Sequence, residues 1–250
     1  WYSYNRHRTE ENLKDQLESL DQSFQDYKKQ ELMAKSDLKT YFLLWVHQVK
    51  SPLTSLNLMI QDLPPNQRAL WQEKLIDIEN YTNMALAYLK LTDPATVLYP
   101  ISINLNYSVS EALLKYKTLF IKYHIKVDYN LEDVRVISDK NYLELLLEQL
   151  FSNISKYARE ETCHISFDES RRTLYIEDTG IGIGPEDLPK IFDQGYSGFN
   201  GAYAEKSSGV GLFLVKKIAD LLNIQIHVTS NLGEGTCFAL TFPDEINPRY

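Results

Sequence analysis

The stretch at residues 173–184 reads TLYIEDTGIGIG: a strand-like run ends in an acid and is followed by alternating glycines. The Thr, Leu, Tyr and Ile residues before Asp178 predict a β-strand. Glycines let the backbone come close to a ligand, and an aspartate at the strand end supplies a fixed hydrogen-bond acceptor. Taken alone, the pattern fits a ligand-binding loop or an ordinary tight turn.

Glycine is confined to the C-terminal part of the chain. All ten glycines lie at or after Gly180, and eight of them fall between Gly180 and Gly211. A second glycine loop, SSGVGL at residues 207–212, leads into an apolar helix. Glycines at a helix start leave N–H groups available to an anion such as phosphate. A flexible loop that meets a helix cap fits equally well, but the clustering makes this region the first candidate for a ligand site.

A third pattern lies in a predicted helix over residues 142–158, where polar residues recur at three- and four-residue spacings opposite a leucine-rich side. These residues are Glu148, Gln149, Ser152, Asn153 and Lys156. An amide oxygen and an ammonium group one turn apart are suited to Mg²⁺ and phosphate, respectively. A solvated helix face would show the same pattern.

The N-terminal third predicts long helices. From Leu13 to Leu63, steps of four and three residues meet apolar side chains throughout, except at Glu31 and Pro52. Such a repeat is typical of a coiled coil or helix bundle and needs a partner helix. The sequence LPPN at residues 63–66 ends this helix, and a second follows over residues 67–91. A helical hairpin of this kind predicts half of a four-helix bundle that a second subunit completes.

Strands and helices alternate from residue 101 onward. Strand-like runs occur at residues 101–105, 125–129, 163–167, 173–177, 224–229 and 236–242, with helical runs at 109–117, 142–158 and 209–222. This alternation predicts a mixed α/β sandwich, with the last two strands forming a hairpin.

His47 lies on the first helix, about 200° around the axis from the seam residues Trp45 and Val49, and is therefore predicted to face solvent. An isolated surface histidine often has no role. However, neutral imidazole is a competent nucleophile, and Pro52 interrupts helical hydrogen bonding one and a half turns later. A bend that lets another domain reach His47 would explain that proline.

Composition excludes several classes of protein. The 250 residues carry 26 basic and 34 acidic side chains, a net charge of −8, which argues against nucleic acid as a partner. The two cysteines have no metal-ligand spacing, which predicts two reduced thiols. No apolar run approaches the 18 residues that a membrane span requires.

The order of these segments resembles the sensor histidine kinases. A His-x-x-x-x-Pro segment, the Asn153 helix, the DxGxG loop, the second glycine loop and Gly233-x-Gly235-Thr236 follow one another with that family's spacing. The resemblance covers residues 38–243. The residues around His47, LWVHQVK, are most similar to the BceS-like kinases of Gram-positive bacteria.

The resemblance implies roles for individual residues. His47 would be the phosphoacceptor, Asn153 the Mg²⁺ ligand, and Asp178 the acceptor for the adenine amino group. Residues 193–206 would form the ATP lid. The remaining ATP contacts would be Lys156, Tyr157, Gly180, Gly182, Gly209, Gly211 and Thr236.

The implied fold is α+β and the implied assembly a homodimer. Residues 1–36 would be a membrane-proximal coiled coil, residues 37–92 the dimerisation and phosphotransfer hairpin, 93–100 a linker, and 101–250 a GHKL-type ATP-binding sandwich. The chain would be the cytoplasmic portion of a cell-membrane protein. A response regulator would receive the phosphoryl group, and an ABC transporter is a further implied partner, in a response to cell-envelope stress or antimicrobial peptides.

Some residues depart from the family pattern. Gln48 replaces an acid that often follows the phosphoacceptor, and Ser51 stands where threonine or asparagine often supports phosphatase activity. Since Gln48 is a poor proton acceptor, Glu148 is the candidate base, and Lys156 would neutralise charge. Two other functions remain open: a GHKL-type ATPase without histidine transfer, and a non-catalytic dimeric scaffold.

Overall fold

The computed structural model describes residues 2–93, 96–198 and 209–244, and side chains from residue 14 onward except those of residues 15, 65 and 66. The chain divides into two compact units, residues 1–52 and 53–250. Helix α1 (Tyr2–Gln61) contains Pro52 without interruption, which confirms the predicted long helix. In the first unit the apolar seam is uncovered: Leu17, Leu20, Phe24 and Tyr27 are 60–66% exposed.

A tight turn joins α1 to α2 (Pro65–Leu91) in the second unit. Pro64 is the N-cap residue of α2, and Pro65 is its first helical residue. A proline is tolerated there because the N–H that it lacks would have no intrahelical partner. The Arg68 guanidinium donates to the carbonyl of Leu63 at 3.0 Å and closes the turn. Within the described ranges, the helices lack a stretch apolar and long enough to cross a bilayer.

In the described part of the second unit, seven strands form two sheets. A small antiparallel pair joins β1 (Ile101–Asn104) to β3 (Arg135–Ser138). The main sheet has the order β2-β4-β5-β7-β6. Its strands are β2 (Lys126–Tyr129), β4 (Thr162–Asp168), β5 (Thr173–Asp178), β6 (Gln225–Asn231) and β7 (Gly235–Thr241). The six predicted strands and the terminal hairpin are confirmed; β3, only four residues long, was not predicted.

Three helices share a core with the main sheet: α3 (Leu105–Lys122), α4 (Lys140–Tyr157) and α5 (Gly211–Leu221). A short 3₁₀ turn, Leu188–Lys190, lies between β5 and α5. The Asp139 carboxylate caps α4 by accepting from the backbone N–H groups of Asn141 and Tyr142. Both cysteines are free, and Cys163 is buried in the core. The α/β sandwich predicted from the sequence is therefore confirmed.

The hairpin turn between β6 and β7 packs closely against the end of β5. Gly235 has a φ of +115°, and a Cβ atom there would lie 1.9 Å from the carbonyl oxygen of Asp178. Gly233, in the same turn, also has a positive φ of +81°, yet its Cβ would meet no heavy atom of the described residues within 4 Å. Only glycine at position 235 therefore allows this approach to Asp178.

Alanine substitutions at these two glycines should have unequal effects. Gly233→Ala adds only backbone strain and should lower the free energy of unfolding by about 1 kcal/mol. Gly235→Ala adds both strain and overlap with a backbone carbonyl, so we expect a loss of about 3 kcal/mol or more. Urea unfolding of the two variants measures the difference. Equal losses would show that the Gly235 contact does not constrain the β5 end.

Candidate functional site

One cavity in the second unit gathers most of the residues that the sequence singled out. The predicted residues that line it are Asn153, Lys156, Tyr157, Asp178, Gly182, Gly209, Gly211 and Thr236. They come from the C-terminal half of α4, the end of β5, the two glycine loops and the start of β7. Gly180 lines an adjoining cavity, which shares Lys156 and Tyr157 with the first.

Asp178 ends β5 with its side chain buried, at 8% exposure. Its Oδ1 accepts a hydrogen bond from the backbone N–H of Gly180 at 3.0 Å. Burial nevertheless raises the pKa of the Asp178 carboxyl to about 6, because desolvation outweighs the backbone hydrogen bonds that favour its charged form. Asp178 is thus a strong acceptor at neutral pH that becomes protonated in mild acid.

The first glycine loop is held against the β6–β7 hairpin. Gly182 has a φ of +67°, and its Cβ would lie 1.9 Å from the carbonyl oxygen of Asn231. Ile183 N–H donates to Ser230 Oγ at 2.8 Å, and Gly233 N–H donates to the carbonyl of Ile181 at 2.8 Å. These contacts fix the loop beside the cavity, so it is a packed structural element as well as a cavity wall.

The polar face of α4 supplies the cation of the cavity. Lys156 is half-buried, and desolvation lowers the pKa of its ammonium group, while the negative charge of Asp77 on α2 opposes that shift. Lys156 is the single basic side chain among the described lining residues, where three aspartates also occur: Asp77, Asp178 and Asp187. A polyanionic ligand would therefore need further positive charge or N–H donors.

Glu148 does not join this cavity. At 100° per residue it lies about 140° around the α4 axis from Asn153, so it faces α3 instead. There the Lys115 ammonium pairs with its Oε2 at 2.5 Å, with both side chains 21% exposed. The sequence pattern grouped Glu148 with Asn153 and Lys156, whereas the fold separates them. Its assignment as a base stays a prediction.

Helix α2 contributes lining residues that sequence reasoning did not assign to a ligand site: Asp77, Asn80, Tyr81 and Met84. Asn80 is 4% exposed, and its Oδ1 accepts a hydrogen bond from the hydroxyl of Tyr116 on α3 at 3.0 Å. No local signal marks these residues, because their role depends on how α2 packs against α3 and α5.

His47 and the lid are the other features that the sequence predicts. His47 is exposed on α1, in the first unit, as the helical spacing predicts. The predicted lid at residues 193–206 is described only as far as Gly198, and the rest lies outside the described residues. Within the described part, Tyr196, Ser197 and Gly198 line the cavity, and the Tyr196 hydroxyl donates to Asp187 at 2.6 Å.

Comparison with solved structures supports the fold. The crystal structure of full-length ShkA in complex with AMPPNP covers 83% of this chain and 46% of ShkA, with a TM-score of 0.58 and 16% identity. The histidine kinase AdeS of Acinetobacter baumannii covers 80% of this chain and 98% of that structure, with a TM-score of 0.53 and 19% identity.

Sequence comparison identifies the family. Residues 138–246 match the family described as histidine kinase-, DNA gyrase B- and HSP90-like ATPase. The sensor histidine kinase YxdK of Bacillus subtilis is 32% identical over 87% of this chain and 69% of YxdK. The sensor protein BceS of Bacillus subtilis is 32% identical over 84% of this chain and 64% of BceS. The chain thus spans slightly less than two thirds of BceS. The predicted resemblance is confirmed, and the chain belongs to the sensor histidine kinases.

Proposed function

We propose that this chain phosphorylates its own His47 from Mg-ATP and passes the phosphoryl group to an aspartate of a response regulator. The main support is the cavity in which eight residues predicted from separate segments meet. In the reaction, an imidazole nitrogen of His47 bonds to the γ-phosphorus as the bond from phosphorus to the ADP oxygen breaks. The chain would contribute mainly positioning and charge neutralisation.

Asp178 is proposed to bind adenine. Its carboxylate is buried at a strand end and held by the Gly180 N–H, so it can accept from the exocyclic amino group with little reorganisation. The phosphates would then lie toward Lys156 and the glycines before α5. Gly211 begins α5, where N–H groups have no intrahelical partner and attract anions.

Mg²⁺ is proposed to bind at Asn153. The donor chemistry fits such an ion, because Asn153 offers an amide oxygen in the cavity. Mg²⁺ commonly takes few protein ligands and completes its shell with phosphates and water. It would also offset the charge of a ligand bound among three aspartates and one lysine.

The assembly is proposed to be a homodimer. The exposed α1 seam continues at Leu38, 57% exposed, and Trp45, 46% exposed, which leaves apolar surface for a second copy of the helix. The resemblance to BceS-like kinases further suggests the cytoplasmic part of a membrane-anchored sensor of envelope stress or antimicrobial peptides, which acts with an ABC transporter.

Substituting His47→Gln should abolish transfer of label from γ-³²P-ATP while leaving ATP binding intact, because glutamine has no nucleophilic ring nitrogen. The expected wild-type product is acid-labile and base-stable. His164→Gln is the matched control, since His164 is another exposed histidine, paired only with Asp128 in the hydrogen bonds described.

Each other result has a distinct meaning. Label that persists in His47→Gln would refute the phosphoacceptor assignment. Release of free phosphate without labelled protein would favour a GHKL-type ATPase, and neither product would favour a non-catalytic scaffold.

Asn153→Ala should remove the Mg²⁺ dependence of nucleotide binding, because the amide oxygen that would hold the cation is lost. Asn141→Ala, at an exposed position in the first turn of the same helix, is the control. Calorimetric titration of ADP with and without Mg²⁺ measures the difference. If Mg²⁺ enhances ADP affinity equally in both variants, Asn153 is not its ligand.

Asp178→Asn should weaken nucleotide binding by about 10- to 150-fold, the range for a lost hydrogen bond to a charged group. It should not lower the free energy of unfolding at pH 7. The folded pKa of about 6 lies above the unfolded value of 3.8, so ionisation of this buried acid destabilises the fold as pH rises through that window. Asparagine removes that cost and still accepts from Gly180.

The same pKa predicts how binding depends on pH. Wild-type affinity for ADP should fall about tenfold from pH 7 to pH 5 as Asp178 is protonated. The Asp178→Asn variant should lack this component, whereas Asp128→Asn, at a side chain 77% exposed, should keep it. Titration of the ligand itself affects all three proteins alike. Parallel pH profiles for wild type and Asp178→Asn would exclude Asp178 from the site.

A further inference from the structure

Two buried amide groups in the cavity have unused hydrogen-bond donors. Asn80 of α2 is 4% exposed and Gln149 of α4 is 3% exposed, and both line the cavity. The Nδ2 of Asn80 and the Nε2 of Gln149 are fully covered and find no hydrogen-bond partner among the described residues. Buried polar groups are nearly always paired, so this arrangement indicates a missing acceptor.

The surroundings orient Asn80. Its Oδ1 accepts a hydrogen bond from the hydroxyl of Tyr116, a fully buried side chain. The NH₂ group is therefore the end of the amide that remains for a ligand. Ser152, which lines the cavity one turn after Gln149, lies close enough to the Tyr116 hydroxyl to favour its charged form. Asn80 is thereby tied to the polar face of α4.

Gln149 lies beside the second glycine loop. A Cβ atom on Gly211 would stand 3.3 Å from its Oε1, so this side chain reaches the start of α5. Gln149 therefore belongs to the part of the cavity that combines α4 with a helix N-terminus, where an anion is favoured, and Asn80 lines the same cavity. The missing acceptor is best supplied by an oxygen-rich anion that can take several N–H donors at once.

We propose that Asn80 and Gln149 donate to phosphate oxygens of the bound nucleotide, so that the helical hairpin contributes a ligand contact to the ATP-binding domain. This inference rests on the proposed nucleotide site and adds to it a specific contact from α2. Nucleotide and docked α2 would then stabilise each other, since coupling between two binding events is reciprocal.

The test is a set of calorimetric titrations of the whole chain with ADP and with adenosine. Asn80→Leu removes the donor and keeps the number and branching of the side-chain heavy atoms. Asn83→Leu is the control, since Asn83 is on the same helix, half-exposed and not among the lining residues. We expect Asn80→Leu to weaken ADP about tenfold or more, as for a lost bond to a charged group. Adenosine affinity should stay unchanged, and Asn83→Leu should behave as wild type.

A second variant guards against misfolding of the first. Asn80→Asp keeps an acceptor for Tyr116 and replaces the donor with an anionic oxygen. It should weaken ADP more than Asn80→Leu does, again without affecting adenosine.

Three results would overturn the inference. Unchanged ADP affinity in both Asn80 variants would mean that water alone satisfies the amides. Equal losses for ADP and adenosine would mean that Asn80 only supports the fold. A wild-type chain that binds neither ligand would refute the nucleotide site itself, and is thereby distinguishable from the other two.

Discussion

Helix α4 has a leucine-rich side that packs in the core and a polar side that lines the cavity. Burial of the leucines determines where the polar side lies. Leu143, Leu146, Leu147 and Leu150 are 0–1% exposed in the core shared with α3, α5 and the sheet. Each would lose about 1.5–3 kcal/mol of burial energy if the helix turned outward. Because the leucines fix the rotation of α4, Asn153 and Lys156 are held toward the cavity.

The sequence was most informative where function depends on short-range pattern. The strand before Asp178, the glycines after it and the leucine periodicity of α4 each lie within about twenty residues, and such local patterns report backbone geometry directly. They predicted the sandwich and most of the residues that meet in the cavity, whereas Tyr157 and Thr236 were assigned through the family resemblance. The family resemblance connected them and supplied the roles, which patterns alone left open.

Features that depend on packing between distant segments were not predictable in this way. β3 is a four-residue strand whose pairing with β1 has no distinct local signal. Asn80 accepts a hydrogen bond from Tyr116, which is 36 residues away in the sequence. Asp77 interacts with the charge of Lys156, which lies on another helix. Glu148 was grouped with Asn153 and Lys156 because three- and four-residue spacings connect the polar residues of α4. The structure shows that its carboxylate instead pairs with Lys115 of α3, a contact between distant segments.

The participation of α2 in the cavity also bears on inhibitor selectivity. The shared ATPase family, which includes DNA gyrase B- and HSP90-like proteins, matches only residues 138–246, whereas Tyr81 and Met84 lie well outside that range. A compound confined to residues 138–246 would contact only the part of the cavity that matches this family. One extended toward Tyr81 and Met84 would contact a surface that this ATPase domain does not carry by itself, which gives a chemical route to discriminate sensor kinases from unrelated ATPases of the same fold.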